Sequence, residues 1–168
     1  LNQFSHDTSQ GFYLERLSEE TLVSLRRGLV SGIYESVATG GQPMSFGVVD
    51  ELTLILHNPG EDWEVRAIAG KALIREMVAG DQYHLLDEVR RVVLESPEAR
   101  LRGEILRALA ESEPPSGFAP DVIDFLIEAL RVEGDYDAAE RTIQGLQARS
   151  DPEGALRVIE ETSRVSAT

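Results

Sequence analysis

Cysteine is absent from this chain of 168 residues, which excludes a disulfide framework and thiolate chemistry. Lysine is nearly absent, because Lys71 is the only lysine among the 16 basic residues. No apolar run approaches the roughly 18 residues that cross a bilayer. Residues 1–10 are polar and lack the basic-then-apolar pattern of a signal peptide. We therefore expect no membrane insertion and a cytoplasmic location.

Basic residues are too few to balance the 30 acidic ones, and the formal net charge is −14. The acids are spread along the chain and are not gathered in a tail. Such a surface repels nucleic acids and anionic lipids, because affinity for both depends mainly on Lys and Arg. The composition therefore predicts no nucleic-acid partner. One locally basic stretch contains Arg90, Arg91, Arg100, Arg102 and Arg107; we interpret it as neutralising nearby acids, with phosphate or acidic-peptide binding as the alternative.

A short pattern occurs twice in the middle of the chain, and it predicts structural repeats. Residues 65–73 read Val-Arg-Ala-Ile-Ala-Gly-Lys-Ala-Leu, and residues 101–109 read Leu-Arg-Gly-Glu-Ile-Leu-Arg-Ala-Leu. Both run from an apolar residue and Arg to Ala-Leu, and they are offset by 36 residues. A repeat of this period is typical of stacked helical repeats.

Apolar residues recur at steps of three and four over residues 17–168, which predicts helices, and no alternating segment indicates a strand. Breaks rich in Pro, Gly and Asp divide this pattern into about eight helices. Short breaks favour antiparallel neighbours, so the predicted fold is all-α, with four helical hairpins. In the first predicted helix, Ser18 is the N-cap, Gly28 and Gly32 share one face, and the buried stripe is Leu22, Leu25, Leu29, Ile33 and Val37. Ser45 caps the second predicted helix, which stops before Asn58 and carries the apolar residues Val48, Val49, Leu52, Ile55 and Leu56. The eighth predicted helix carries Leu156, Val158 and Ile159.

The N-terminal residues 1–16 show no clear period, so we expect an extended or flexible arm ahead of the helical domain. Phe4, Phe12 and Tyr13 are apolar, but polar residues and Gly separate them. An alternative is that these aromatic residues dock the arm on a neighbouring element. The predicted division is therefore an arm over residues 1–16 and a helical-repeat domain over residues 17–168.

The repeated pattern resembles the HEAT or HEAT-like repeats, in which an acidic or Pro-containing turn precedes a Val-Arg-x-x-Ala-x-x-Ala-Leu helix. Residues 58–73 match this pattern well, residues 96–109 match it less fully, and residues 138–146 have lost the Arg. The resemblance implies an α-solenoid that acts as a binding scaffold. It also implies that Arg66 and Arg102 bond to acids or carbonyls of neighbouring turns and so hold the repeats together.

No pattern of catalytic or ligand-binding residues stands out. His6, His57 and His84 share no helical face with the spacing of zinc ligands, and the carboxylates lie at helix starts and on polar faces. The chain lacks a nucleophile elbow, a phosphate loop, a dinucleotide fingerprint and a calcium loop. We therefore predict no enzymatic activity, no cofactor and no metal site.

Three aromatic residues in predicted inter-helix turns are candidates for partner binding. Trp63 is the only Trp, and Tyr83 and Tyr136 occupy similar positions. With Arg90 and Arg91 they are residue types that dominate binding energy at interfaces, although packing between hairpins is the simpler role for Trp63.

We therefore predict a scaffold or adaptor that binds another protein, either on the second helices of the hairpins or on this aromatic and Arg edge. The chain would be a subunit of a larger assembly, and its oligomeric state is left open. Two alternatives are a HEAT-like nucleic-acid-binding or DNA-repair protein and a HEAT-like chromophore lyase.

Overall fold

The computed structural model of the chain describes residues 3–40, 43–80, 82–113, 119–133, 136–148 and 151–165. These residues form nine α-helices and contain no strand, which confirms the all-α class. None of the helices in these ranges has the length and apolar character that spanning a bilayer requires. The helices are α1 (Gln3–Glu19), α2 (Val23–Gly40), α3 (Phe46–His57), α4 (Trp63–Ala79), α5 (Leu85–Glu95), α6 (Ala99–Glu111), α7 (Ala119–Glu133), α8 (Tyr136–Ala148) and α9 (Pro152–Val165).

The additional helix is α1, which covers most of the segment expected to be an extended or flexible arm, residues 1–16. Ser18, expected as the N-cap of the next helix, lies inside α1, and its Oγ donates to the Glu15 carbonyl at 2.7 Å. The helix packs against α2 and α3 and buries Leu17. These tertiary contacts stabilise a helix whose own sequence has no continuous apolar stripe.

The chain divides into two compact units, residues 1–88 and residues 89–168, and α5 spans the boundary between them. In the first unit α2 packs against α1 and α4, and α3 packs against α1 and α4. In the second unit α8 packs against α6 and α9, and α7 packs against α6, α8 and α9. The helical domain expected over residues 17–168 stays a prediction.

Each unit buries most of the apolar residues that the sequence predicts, with exceptions on α2 and α9. On α9, Val158 is buried but Leu156 and Ile159 are exposed. On α2, Leu22 and Leu25 were expected in the buried stripe, but they are exposed. Because α2 begins at Val23, these two side chains lie at its solvent-exposed start, and the core begins further along the helix. The core contains Leu17, Val30, Ile33, Val48, Leu52, Leu56, Val65, Ala69, Leu73 and Met77 in the first unit, and Leu101, Ile105, Leu106, Leu109, Val122, Leu126, Leu146 and Val158 in the second.

Two glycines mark places where a neighbouring element comes close to a helix backbone. A Cβ at Gly32 of α2 would lie 2.8 Å from the ring of Tyr13, so α1 packs on the face that the sequence leaves open. Gly28, one turn earlier, has no atom within 4 Å of its Cβ position. In the second unit, a Cβ at Gly145 of α8 would lie 2.8 Å from the Ala110 Cβ and 3.0 Å from the Arg107 carbonyl oxygen, both in α6.

Candidate functional site

Three helices carry an Arg at their fourth position that bonds to the end of the preceding helix. These residues are Arg26 in α2, Arg66 in α4 and Arg102 in α6. The last carbonyls of a helix lack intrahelical donors and carry partial negative charge, so a guanidinium is a suitable partner. The bonds run from Arg26 Nη1 to the Leu17 carbonyl (2.7 Å), from Arg66 Nε to the Leu56 carbonyl (2.9 Å) and from Arg102 Nη1 to the Ser96 carbonyl (2.6 Å).

The bonds of Arg66 and Arg102 are of the kind that the resemblance implies, but Arg26 was not singled out from the sequence. Its Nη1 also donates to the Glu20 carbonyl at 3.1 Å, and its Nε and Nη2 donate to Glu61 Oε2 at 2.9 and 2.5 Å. One side chain therefore connects the end of α1, the start of α2 and the turn before α4. The available signal was the apolar-Arg pair Leu25-Arg26, which has the same form as the pairs at residues 65–66 and 101–102.

Glu76 is a fully buried carboxylate near the end of α4. Its Oε2 accepts a hydrogen bond from the backbone N–H of Met44 at 2.9 Å, and its Oε1 accepts one from Gln82 Nε2 at 2.8 Å. Burial raises the pKa of the Glu76 carboxyl above its usual value of 4.5, and the two hydrogen bonds offset part of this effect. Both oxygens are occupied inside the protein, which favours a structural role linking the loop before α3 to the turn after α4.

Ion pairs occupy several of the other charged side chains. His57 Nε2 lies 2.8 Å from Glu88 Oε2 in the first unit. In the second unit Arg107 Nε donates to Glu111 Oε1 at 2.7 Å, and this bond raises the pKa of Arg107. Within the described ranges, no three His, Asp or Glu side chains are grouped so that they could hold a metal ion.

The residues expected to bind a partner are divided between the two units. Trp63 and Tyr83 are half-buried in the first unit, and each interacts with other groups of the chain. Arg90 and Arg91 are exposed in the second unit, and the side chain of Tyr136 lies outside the part of the chain that the structure describes. Neither unit by itself therefore contains the expected aromatic and Arg patch.

Arg90 makes the contacts of a neutralising residue. Its Nη2 donates to Glu128 Oε2 at 2.5 Å, and its guanidinium carbon lies 5.8 Å from the centre of the Phe125 ring. Arg91 also interacts within the chain. These contacts favour the interpretation that the basic stretch balances nearby acids over the alternative of phosphate binding.

Among the residues that the structure describes, the two most exposed large apolar side chains lie in one row on α3, where no site was expected from the sequence. Phe46 is 83% exposed and Leu54 is 67% exposed, and the exposed Asp50 lies between them at steps of four residues. We call these three residues the α3 ridge. Gly47 and Glu51 lie beside it on the same side of the helix. The opposite face of α3 supplies the core residues Val48, Val49, Leu52, Ile55 and Leu56.

Smaller exposed apolar groups occur at the start of α2, with Leu22, Val23 and Leu25, and on α9, with Leu156 and Ile159. The sequence signal for the α3 ridge was present, because Phe46 and Leu54 fall outside the predicted buried stripe. No protein-family model, curated protein or solved structure matches the chain.

Proposed function

We propose that the chain is a non-enzymatic helical-repeat scaffold or adaptor that binds another protein, as a subunit of a larger assembly. The helix contacts inside each unit support a repeat. A helix packs against its neighbour in the chain, as α1 does with α2, and also against the second helix along, as α2 does with α4 and α6 does with α8. Stacked antiparallel hairpins, as in a HEAT-like solenoid, produce this combination of contacts.

Support for the same repeat also comes from Arg26, Arg66 and Arg102, which we call the Arg anchors. Arg26, Arg66 and Arg102 each occupy the fourth position of a helix, and each has its backbone N–H bonded to the residue just before that helix. Each of them also bonds to a carbonyl at or next to the end of the preceding helix. The same device at three helix junctions is expected when one hairpin unit recurs along a chain.

The observation that carries a binding function is the α3 ridge. Isolated apolar side chains on a surface are common and carry no functional meaning, whereas exposed apolar side chains grouped on one face are typical of protein-binding surfaces. Phe46 and Leu54 share one face of α3, on either side of the exposed Asp50. Phe46 and Leu54 are large, lie two helical turns apart in one row, and leave most of their area in water. A partner that covered them would remove this apolar area from solvent, which is the main favourable contribution to association.

The proposal is tested by measuring the mass of the assembly that contains the chain. The tagged chain is expressed in its native cells, and the extract is separated by size-exclusion chromatography after mild cross-linking. We expect the chain, of 18.5 kDa, to elute in a larger complex with a second protein that mass spectrometry identifies. Elution of the chain alone would overturn the proposal. A triple Trp63→Ala, Tyr83→Ala and Arg91→Ala variant tests whether those residues contribute, and unchanged partner recovery would remove them from the surface.

A further inference from the structure

The exposed face of α3 carries negative charge that no Lys or Arg of the same helix balances. Asp50 and Glu51 are the only acidic residues of α3, and the helix contains no Lys or Arg. Among the described residues, no basic side chain lies within ion-pair distance of either carboxylate. Some acids elsewhere are ion-paired, as Glu61 is with Arg26 and Glu128 is with Arg90. The α3 ridge therefore presents an unneutralised acid between two exposed apolar side chains.

On the basis of the proposed function, we propose that the α3 ridge binds an amphipathic helix of the partner protein. This partner helix carries Arg or Lys between two apolar residues. Phe46 and Leu54 are eight positions apart in α3, which is about 12 Å along the axis. A partner helix with apolar side chains four residues before and after a basic one matches this row. Its basic side chain would then lie opposite Asp50 while its apolar side chains cover the two ends of the ridge.

The same charges argue against a second copy of this chain as the occupant. Two copies related by a two-fold axis through the centre of the ridge would place Phe46 against Leu54 of the other copy. Asp50 would then face its own equivalent, and two like charges at such a contact repel each other. The net charge of −14 on each copy adds to this repulsion. A partner with the opposite charge avoids both of these repulsions.

The test uses two synthetic helical peptides of about 15 residues, roughly 22 Å long, that differ in one position. The first has Leu-x-x-x-Arg-x-x-x-Leu on one face, and the second has Glu in place of the Arg. Binding to the ¹⁵N-labelled full chain is measured from amide chemical shifts. We expect the Arg peptide to shift the amides of α3 and to bind about fivefold more tightly than the Glu peptide, as exposed charge pairs allow.

Variants of the ridge then test the assignment. Asp50→Lys should reverse the preference, so that the Glu peptide binds more tightly than the Arg peptide. Leu54→Ala should weaken both peptides by about fivefold to tenfold, because an anchor of the contact is truncated. Both side chains are exposed, so folding should be preserved, and circular dichroism checks it. Matched controls on α9 are Leu156→Ala and Glu160→Lys, which should leave both affinities unchanged.

Several results would overturn this assignment: no shift of α3 amides at millimolar peptide, equal affinity for the two peptides, or the same preference after Asp50→Lys. These failures are distinguishable from failure of the proposed function. If the chain still elutes in a complex with another protein, the scaffold function holds and only the docking surface is wrong. If the chain elutes alone, the function itself fails, whichever peptide binds.

Discussion

Replacement of Glu76 by Gln should change how the stability of the first unit depends on pH. The carboxyl is fully buried, and burial raises its pKa above 4.5. A folded chain that holds this proton more tightly than the unfolded chain gains stability when the group is protonated. That contribution is fully present below pH 4.5, and it is lost as the pH rises through the folded pKa. The amide of the Glu76→Gln variant cannot ionise, so the stability of the variant does not fall in this way as the pH rises.

The magnitude follows from the linkage between pKa and stability, because each unit by which folding raises the pKa corresponds to about 1.4 kcal/mol. The Gln side chain at position 76 can also keep both hydrogen bonds. Its amide oxygen would accept from the Met44 N–H, and its NH₂ would donate to the oxygen of the Gln82 side chain once that amide has rotated. Glu76→Leu offers no acceptor to either group. Leaving a buried donor without a partner costs about 1–3 kcal/mol, so the Leu variant should be destabilised at low pH, where Glu76 is neutral.

Urea unfolding between pH 4 and pH 8 measures these differences. Trp63 is the only Trp and lies in the first unit, so its fluorescence reports on that unit, whereas circular dichroism reports on all helices. We expect the Glu76→Gln variant to gain stability relative to the native chain as the pH rises above 4.5. A difference between the two proteins that stays constant over this range would refute the assignment of a raised pKa to Glu76.

Three further predictions are tested by chemical denaturation. Gly145→Ala should destabilise the second unit by about 1–2 kcal/mol, because the added Cβ would contact α6. Gly28→Ala has open space around the added Cβ and should stabilise α2 by about 0.5–1 kcal/mol. Destabilisation by both substitutions would contradict this reasoning. Arg26→Lys should cost about 1–3 kcal/mol, and the same change at the exposed Arg131 should cost under about 1 kcal/mol. Asp62→Ala removes the N-cap of α4 and should cost about 1 kcal/mol; an unchanged midpoint would refute that role.

The sequence predicts those helices well whose ends are marked by local chemistry. Ser45 and Asn58 bound the second predicted helix, and the structure places them on either side of α3, although the Ser45 side chain makes no capping hydrogen bond. Asp62 is a side-chain N-cap, with its Oδ1 accepting from the Glu64 N–H at 3.0 Å, and Gly80 ends the same helix. Signals of this kind act within a few residues, so a single sequence contains them.

Features that depend on distant contacts were not predictable in the same way. α1 is helical although its apolar residues form no stripe, because Tyr13 packs on Gly32 and Leu17 is buried by the helices around it. Leu22 and Leu25 continue the period of α2 but lie beyond the part that its neighbours cover. The α3 ridge is the reverse case, since Phe46 and Leu54 were outside the predicted stripe and remained exposed. A period predicts which face of a helix is apolar, and the packing decides how much of that face is buried.

The Arg anchors also give a physical reason why Lys would be a poor substitute at these positions. At Arg26 one guanidinium donates to the carbonyls of Leu17 and Glu20 and to the carboxylate of Glu61. The planar group has five N–H donors in fixed directions, so it can contact several acceptors at once while its charge faces a helix end and an acid. A Lys ammonium has three donors at a single point and cannot span groups that lie on different sides of the junction. Selection for such junctions would favour Arg wherever one helix must be held against the end of another.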